Sequence, residues 1–590
     1  MLTKTREMES IRDRGKPTFL PIAERILDLS PRLAPRVAEP RGHLATFLHS
    51  AFWVAVPVAL GVLALLGLAL GARLPAVGSD PGTALSTAKA AVGGNHQWVE
   101  MLAPPIQVAA YIPFVSIGQP EFATAVPVIF GALVLLLVFV AAWRVTGMPW
   151  AGAIAGLFLL STPEYWQRAS LLPAYQTFVF FGYLGLFLTA TALRSPRRST
   201  VFAIAGGVAL ALSAYSFTTG LVFLPAALFL ALVWKGRWRP ALLSLSTAAV
   251  LLLPFAVWHI AVVGIRNAWI YPHNFLVVKY SEDLRIFWNR PDYDIFGYVG
   301  QALPDMLLRA APIWLWLLAA AGLLVIGKVH SARVSAIVAA AMLTPLIPYV
   351  ALHPAPFPRY AYMLLPGLVV VAAVGLALAV QSMARHRAGR HVSMLAPPVI
   401  ALLAIYAATT ALSTHLDVVA DARASPRYAE LQIVASEVDD GRALLARSSE
   451  MQVLLPDNQI YTLNFFTEDE YIDYILWRDE ERVRRFLARW DIGWVILQRG
   501  FERLERDYNL WATTATGYPP RHYICLPQSE GFSEVYSGRY VVLYKVDQNW
   551  LRSGDVQAAS AAADGRPAGS QDGEPGKEGL PASGEDCPGN

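Results

Sequence analysis

Six residues stand out as able to do chemistry where water meets an apolar phase: Asp80, Glu164, Arg168, His259, Arg359 and Tyr360. Each adjoins a long apolar run or lies within one. An ionisable group in such a place costs about 3 kcal/mol or more without a partner, so it marks a functional candidate. A boundary carboxylate, Asp80 or Glu164, is suited to take a proton from a hydroxyl. A boundary arginine, Arg168 or Arg359, is suited to hold a phosphate through two parallel charge-assisted hydrogen bonds. His259 sits near the end of an apolar run, and Arg359-Tyr360 closes the proline-rich segment HPAPFPRY.

Each candidate also has a purely structural alternative. Asp80 followed by Pro81 fits a helix N-cap with proline at the first helical position. Glu164 after Pro163 fits a helix start, with Arg168 four residues on as its ion-pair partner. His259 fits a polar residue tucked in at a helix end, and Arg359 fits an interfacial anchor. Gly152 and Gly156 are spaced for close helix packing and need no chemical role. The two cysteines, Cys525 and Cys587, make neither a disulfide framework nor a metal site.

The elements that must position these residues are membrane spans. The 590-residue chain is 55% hydrophobic and only 16% charged, where a soluble chain of this length carries nearer a quarter charged residues. Its mean hydropathy is +0.41, and the apolar residues fall in long runs rather than being spread. Runs near 50–72, 124–143, 147–162, 172–193, 200–217, 219–234, 241–263, 311–327, 334–352, 360–382 and 393–413 predict about eleven transmembrane helices. The first run starts too far from Met1 for a cleaved signal peptide and reads as a retained anchor.

Basic clusters orient these spans. Arg144, the Arg194–Arg198 cluster, Lys235-Gly236-Arg237-Trp238-Arg239, Lys328 with Arg333, and Arg385 through Arg390 all fall on alternate connections. The basic residues of segment 1–47 share that face, which the positive-inside rule assigns to the cytoplasm. The N-terminus is therefore expected in the cytoplasm. Loops 73–123 and 264–306, the short connection 163–171 and everything after the last span are expected outside it. In loop 73–123 the apolar stretch IQVAAYIPFVSIG is too short to span and is expected to lie in the interface or re-enter. Loop 264–306 is rich in aromatic and charged residues, as segments at the headgroup level are.

The chain thus divides into a basic cytoplasmic segment at 1–47, a transmembrane domain at 48–414, an extracytoplasmic domain at 415–548 and a tail at 549–590. The tail's Ala, Gly, Ser, Pro and acidic residues predict disorder. Within 415–548, amphipathic periodicity over Asp469–Trp490 predicts a helix, and ALLAR, WVILQ and RYVVLYKV predict strands. Helices interleaved with short strands predict a small α/β domain. No glycine-rich loop opens any of its helices, which argues against a nucleotide site there.

The outer-loop text carries a family resemblance. DPGTALSTAKAAVGG from Asp80, then APPIQVAAYIPFVSIGQPEFA, places an acid just after the first span, an Ala-rich helix, a glycine pair, a Pro-Pro and an apolar segment. Together with PRYAYMLLPG, DIGWVIL and FSEVYSGRYVVLYKV, this resembles the lipid-dependent membrane glycosyltransferases of the GT-C superfamily, of protein O-mannosyltransferase-like and aminoarabinose-transferase-like type. The resemblance is diffuse and spans most of 49–548.

It implies a polytopic α-helical membrane protein with a C-terminal extracytoplasmic α/β soluble domain. The implied function is inverting transfer of a sugar from a polyprenyl-phosphate donor to a lipid, glycan or protein acceptor on the extracytoplasmic face of a bacterial inner membrane. Asp80 matches the family's first-loop acid, the general base. Arg359 matches the basic residue before the late tyrosine, which here is Tyr360. Asp80-Pro81 replaces the family's usual acidic pair, and no acid occurs in RASLLPAYQTF, where a second is expected; Glu164 is the nearest substitute. Arg168 and His259 complete the expected substrate-binding set. No metal ligand cluster is evident and no cofactor is firmly implied, a divalent metal being left open, and no nucleic-acid partner is expected. Alternatives are an O-antigen ligase or polymerase, or an inactive relative serving as an assembly partner. The absence of mid-span acids and of repeated halves argues against a transporter.

Overall fold

The computed structural model describes residues 82–93, 105–119, 122–123, 125–170, 175–195, 198–234, 238–263, 303–346, 361–384, 389–446, 450–455, 457–461, 474, 477, 479–499 and 522–552. Among the six candidates, Asp80, Arg359 and Tyr360 lie outside these residues, as do the expected first span at 50–72 and most of loop 264–306. His259 lies in a described helix, but its side chain is outside the description.

Two short helices open the described chain, α1 (Gly82–Val92) and α2 (Pro105–Ser116). The bundle follows, with α3 (Ala125–Thr146), α4 (Pro149–Leu160), α5 (Pro163–Ser170), α6 (Tyr175–Arg194), α7 (Ser199–Ser216), α8 (Phe223–Ala231) and α9 (Trp238–Val263). After the long loop come α10 (Leu303–Ala310), α11 (Ile313–Val329), α12 (Ala332–Leu343), α13 (Leu365–Ala384) and α14 (Gly389–Ala424). Among the described residues five helices are long and apolar enough to cross a membrane. A sixth span results if α10 and α11, bent by 96° around Pro312, count as one.

Several expected spans are shorter helices. α4 and α12 have 12 residues each, about 18 Å of helix against about 30 Å of hydrocarbon. The reason is visible at α4, where 11 of the 12 residues are buried. It packs within protein and need not match the bilayer. The helix over 105–116 agrees with the expectation of a non-spanning apolar segment.

α13 is the centre of the bundle, packed against α3, α4, α11 and α14. Its spanning window is 72% buried, against 22% for α14. α14 instead turns Leu402, Leu403 and Tyr406 outward, a surface suited to lipid. Glycine sets the closest approaches. A Cβ on Gly322 of α11 would meet the Val371 carbonyl oxygen of α13 at 2.6 Å, and one on Gly152 of α4 would meet the Phe139 carbonyl oxygen at 2.6 Å. Without hydrophobic attraction between helices in lipid, such backbone contact is a main source of cohesion.

α14 runs 36 residues without a break through positions 414 and 415. Ser425 ends it and caps the next helix, α15 (Pro426–Glu437), by accepting a hydrogen bond from the Tyr428 N–H. A five-stranded sheet follows in the order β2-β1-β3-β5-β4. Strands β1 (Ala443–Ala446), β2 (Ile460–Tyr461) and β3 (Ile492–Gln498) are parallel. β4 (Phe532–Ser537) and β5 (Val541–Val546) form an antiparallel hairpin beside β3. Parallel neighbours require crossovers, here through α16 (Glu450–Leu454) and α17 (Glu480–Arg489). β3 is buried at all seven positions, as a strand covered on both faces must be. α15 and α16 cover one face with Leu431, Val434 and Met451, and α17 covers the other with Val483, Phe486 and Leu487.

Of the helix expected over Asp469–Trp490, the described residues give one at Glu480–Arg489. Trp477 takes a left-handed φ of 47°, which interrupts a helix, and Asp479 begins the next one by accepting from the Glu481 N–H. The short β2 and the exposed edge strand β4 have too little apolar alternation to be read as strands from periodicity. Cys525 is buried and disulfide-bonded.

Candidate functional site at one end of the bundle

Helix α5, PEYWQRAS, supplies the first two candidates. Proline starts it, Glu164 occupies its first turn and Arg168 its last, so each charge faces the helix end of opposite partial charge. The Arg168 Nε donates to Glu164 Oε1 at 2.6 Å, with the two side chains 14% and 3% exposed. The ion-pair alternative is therefore present, but it is an almost buried pair rather than a surface one. Arg168 also stands 5.6 Å from the centre of the Tyr175 ring, a distance suited to a cation–π contact.

Hydrogen bonds hold α5 in place on the bundle. The Tyr165 hydroxyl donates to the Gly131 carbonyl of α3 at 3.1 Å, and burial pushes that phenol's pKa up, keeping it a donor. The Trp166 Nε1 donates to the Leu160 carbonyl at the C-terminal end of α4 at 2.6 Å, satisfying one of the carbonyls a helix end leaves open. At the head of α6, Gln176 is fully buried. Its Oε1 accepts from the Tyr362 hydroxyl, and its Nε2 reaches the Tyr165 carbonyl at 3.5 Å. Tyr362 in turn lies within electrostatic reach of Glu164 and Arg168, and the Tyr183 hydroxyl donates to the neighbouring Met363 carbonyl at 2.8 Å.

Three separate connections thus converge. α5 comes from the short connection before α6, and Tyr362 comes from the start of the α13 span, two positions after Tyr360. The third is α10, the end of the long loop, which packs Met306 and Ala310 against Ala361 and Leu364 and also touches α5. The same end of the bundle holds α2, whose buried Gln107 donates to the Ser216 carbonyl at the end of α7 at 2.9 Å. α1 packs on α2 through Ala84, Leu85 and Ala88, and Asp80 lies two positions before α1 in the chain. The opposite ends of α6, α8 and α9 meet in a separate cluster around Leu193, Ala231 and Ala241, beside the basic connections.

The structure therefore brings Glu164 and Arg168 together with Tyr175, Gln176 and Tyr362. It does not place Asp80, Arg359, Tyr360 or the His259 side chain. Sequence reasoning missed Tyr165, Gln176 and Tyr362. The available signal was PAYQTF, a polar pair at the head of an apolar run, where a buried amide must find a partner. Among the described residues no group of three His, Cys, Asp or Glu is arranged to hold a metal ion.

A helical bundle of this architecture, followed by a small mixed sheet, is shared with solved structures. The chain is similar to the aminoarabinose transferase ArnT from Cupriavidus metallidurans bound to undecaprenyl phosphate, with a TM-score of 0.53 and 15% identity over 84% of this chain and 97% of that one. The apo structure of the same enzyme gives a TM-score of 0.52 and 15% identity over 85% and 98% of the two chains. The oligosaccharyltransferase AglB from Archaeoglobus fulgidus, in complex with an inhibitory peptide and a dolichol-phosphate, gives 0.47 and 14% identity over 83% and 74%. No protein-family model matches the sequence, and no curated protein matches it.

Proposed function

We propose that this chain is a membrane glycosyltransferase that moves a sugar from a polyprenyl-phosphate donor to an acceptor hydroxyl on the extracytoplasmic face. The observation that carries the proposal is the convergence of three connections at one end of the bundle, near the buried Glu164–Arg168 pair and Tyr362, on a bundle whose fold is similar to that of ArnT. The undecaprenyl phosphate in the similar ArnT structure supports a donor of that class.

On this reading, Asp80 is the general base. As it takes the acceptor's proton, the acceptor oxygen attacks the anomeric carbon from the face opposite the phosphate. The bond from that carbon to the phosphate oxygen breaks with its electron pair, and polyprenyl phosphate leaves. Inversion follows from direct displacement. Arg359 balances the charge that grows on the leaving phosphate, with Tyr360 and His259 in the substrate-binding set.

Glu164 and Arg168 are assigned a different task from the one their residue types suggest. Each neutralises the other, so neither offers a free charge to substrate. Their work is to fix α5 beside the head of α6, where Arg168 stands over the Tyr175 ring. A second reading, an inactive relative that assists assembly, is favoured by one observation: Glu164, the nearest substitute for the missing second acid, is engaged by Arg168.

Transfer from a labelled polyprenyl-phosphate sugar in reconstituted membranes separates the two. The enzyme reading expects turnover by the wild type and a loss of about 100-fold or more in kcat for Asp80→Asn. Retained transfer in that variant would eliminate the proposed base, and no transfer from any lipid-linked donor by the wild type would favour the non-enzyme reading.

A further inference from the structure

α1 touches two parts of the molecule at once. One face packs Ala84, Leu85 and Ala88 against Val108 and Tyr111 of α2, Ala123 just before α3 and Val126 within it. The other reaches the C-terminal sheet. Ala90 belongs to the same buried cluster as Leu445 and Tyr461, and α1 contacts both α16 and β2. One turn of an eleven-residue helix therefore belongs to the bundle side and the next to the sheet side.

The polar part of the sheet contact is Lys89. Its Nζ donates to the Asn458 backbone carbonyl at 2.5 Å. That carbonyl is also the acceptor for Gln452 Nε2 at 3.2 Å, and Gln452 Oε1 accepts from the Ile460 N–H at 3.2 Å. The Asn458 side chain donates to the Asp440 and Arg442 carbonyls at 2.6 and 2.9 Å. Lys89 thus inserts into a network that already joins α16, β2 and the entry to β1. A partly buried ammonium among backbone carbonyls is not a surface decoration, because long flexible lysines are otherwise left in water.

We infer that the C-terminal sheet domain acts as a clamp on helix α1, and that Lys89 is a positioning residue that fixes α1 in register for transfer. This rests on the proposed function for its catalytic half, whereas the docking half stands on Lys89, Ala90 and Asn458 alone. Among the described residues, the titratable groups on the facing elements include Asp457, which favours the charged lysine, and Tyr461 on β2. Arginine keeps charge and reach at position 89, methionine keeps only bulk, and Ala90→Glu attacks the apolar half of the contact independently.

The test uses the full chain reconstituted in nanodiscs, with hydrogen exchange and transfer kinetics read in parallel. In Lys89→Met and in Ala90→Glu, amide exchange over 84–92 and over 457–461 should accelerate together, by about tenfold, while core strand β3 keeps its protection and shows that the domain is folded. Lys89→Arg should restore the wild-type pattern. Lys89→Met should lower kcat by about tenfold with the donor KM unchanged, and Lys89→Arg should recover it. Unchanged exchange over 457–461 in both disruptive variants would overturn the clamp. Accelerated exchange with unchanged kcat would overturn the positioning role while leaving the docking in place. Should the wild type transfer nothing, the functional reading fails and the exchange data alone decide the docking.

Discussion

Two short helices each carry a withdrawn cation, and the two are satisfied in opposite ways. Arg168 on α5 meets a carboxylate four residues away on its own helix and a tyrosine ring beside it. Lys89 on α1 reaches across to the Asn458 carbonyl, 369 residues along the chain. The first arrangement is local and neutral as a pair. The second is long-range and leaves a charge among dipoles. Burial accordingly lowers the Lys89 pKa to about 8, with Asp457 opposing the shift. The contrast suggests a division of labour, in which α5 is a permanent part of the bundle end and α1 is held by an adjustable contact.

The largest test of that contrast is to break the local pair. Arg168→Met leaves Glu164 buried without its partner and should cost about 3–5 kcal/mol of stability, read as a fall in the melting temperature of the purified protein. Glu164→Leu combined with Arg168→Met should recover most of it, since an apolar replacement of a buried pair is often close to neutral. A double variant no better than Arg168→Met alone would show that the pair does more than balance itself.

A carboxylate held by backbone alone gives an intermediate case. Glu430 on α15 accepts from the N–H groups of Arg539, Tyr540 and Val541 at 2.8, 2.8 and 3.1 Å, clamping the β4–β5 turn. Because it is partly exposed, Glu430→Ala should cost about 1–2 kcal/mol, with exchange rising first in that hairpin. Tyr362→Phe removes the donor to the buried Gln176 carbonyl and should cost about 1 kcal/mol. It should also loosen residues 361–364 in hydrogen exchange, without changing exchange around β2.

The smallest effect concerns Lys89 itself. Its folded pKa lies below the unfolded value, so between about pH 8 and 10.5 the unfolded chain binds more protons than the folded one. Stability of the docked contact should therefore rise with pH across that window, the reverse of what a strong lysine–carboxylate pair gives. Hydrogen exchange at 457–461, corrected for intrinsic rates, at pH 7.5 and 9.5 measures it. Lys89→Met should abolish the difference.

Much of this architecture is legible in the sequence, for a definite reason. Apolar runs and alternating basic clusters are imposed by the bilayer, so α3, α6, α7, α13 and α14 follow from composition alone. Gly152 was readable as a packing residue, and the structure puts it against the Phe139 carbonyl. The GT-C resemblance, carried by loop text, agrees with the fold. Lengths were less legible, because α4 is enclosed by protein packing, which hydropathy does not record. The Glu164–Arg168 pair was readable from its spacing, but its depth was not. Gln176, Tyr362 and Asn458 were invisible because their partners lie 186 or 18 residues away along the chain, and nothing local announces them. Trp477 broke a helix that periodicity had joined, since left-handed backbone is not encoded by apolar spacing.

The central claim is that one end of the bundle is a site for a polyprenyl-phosphate sugar. An experimental structure of the full chain with bound polyprenyl phosphate tests it most directly. The account predicts the phosphate beside residues 359–362, in contact with Arg359, with the Asp80 carboxylate facing the same space and Glu164 still paired to Arg168. A phosphate bound elsewhere, or an Asp80 side chain directed into a separate environment, would contradict it.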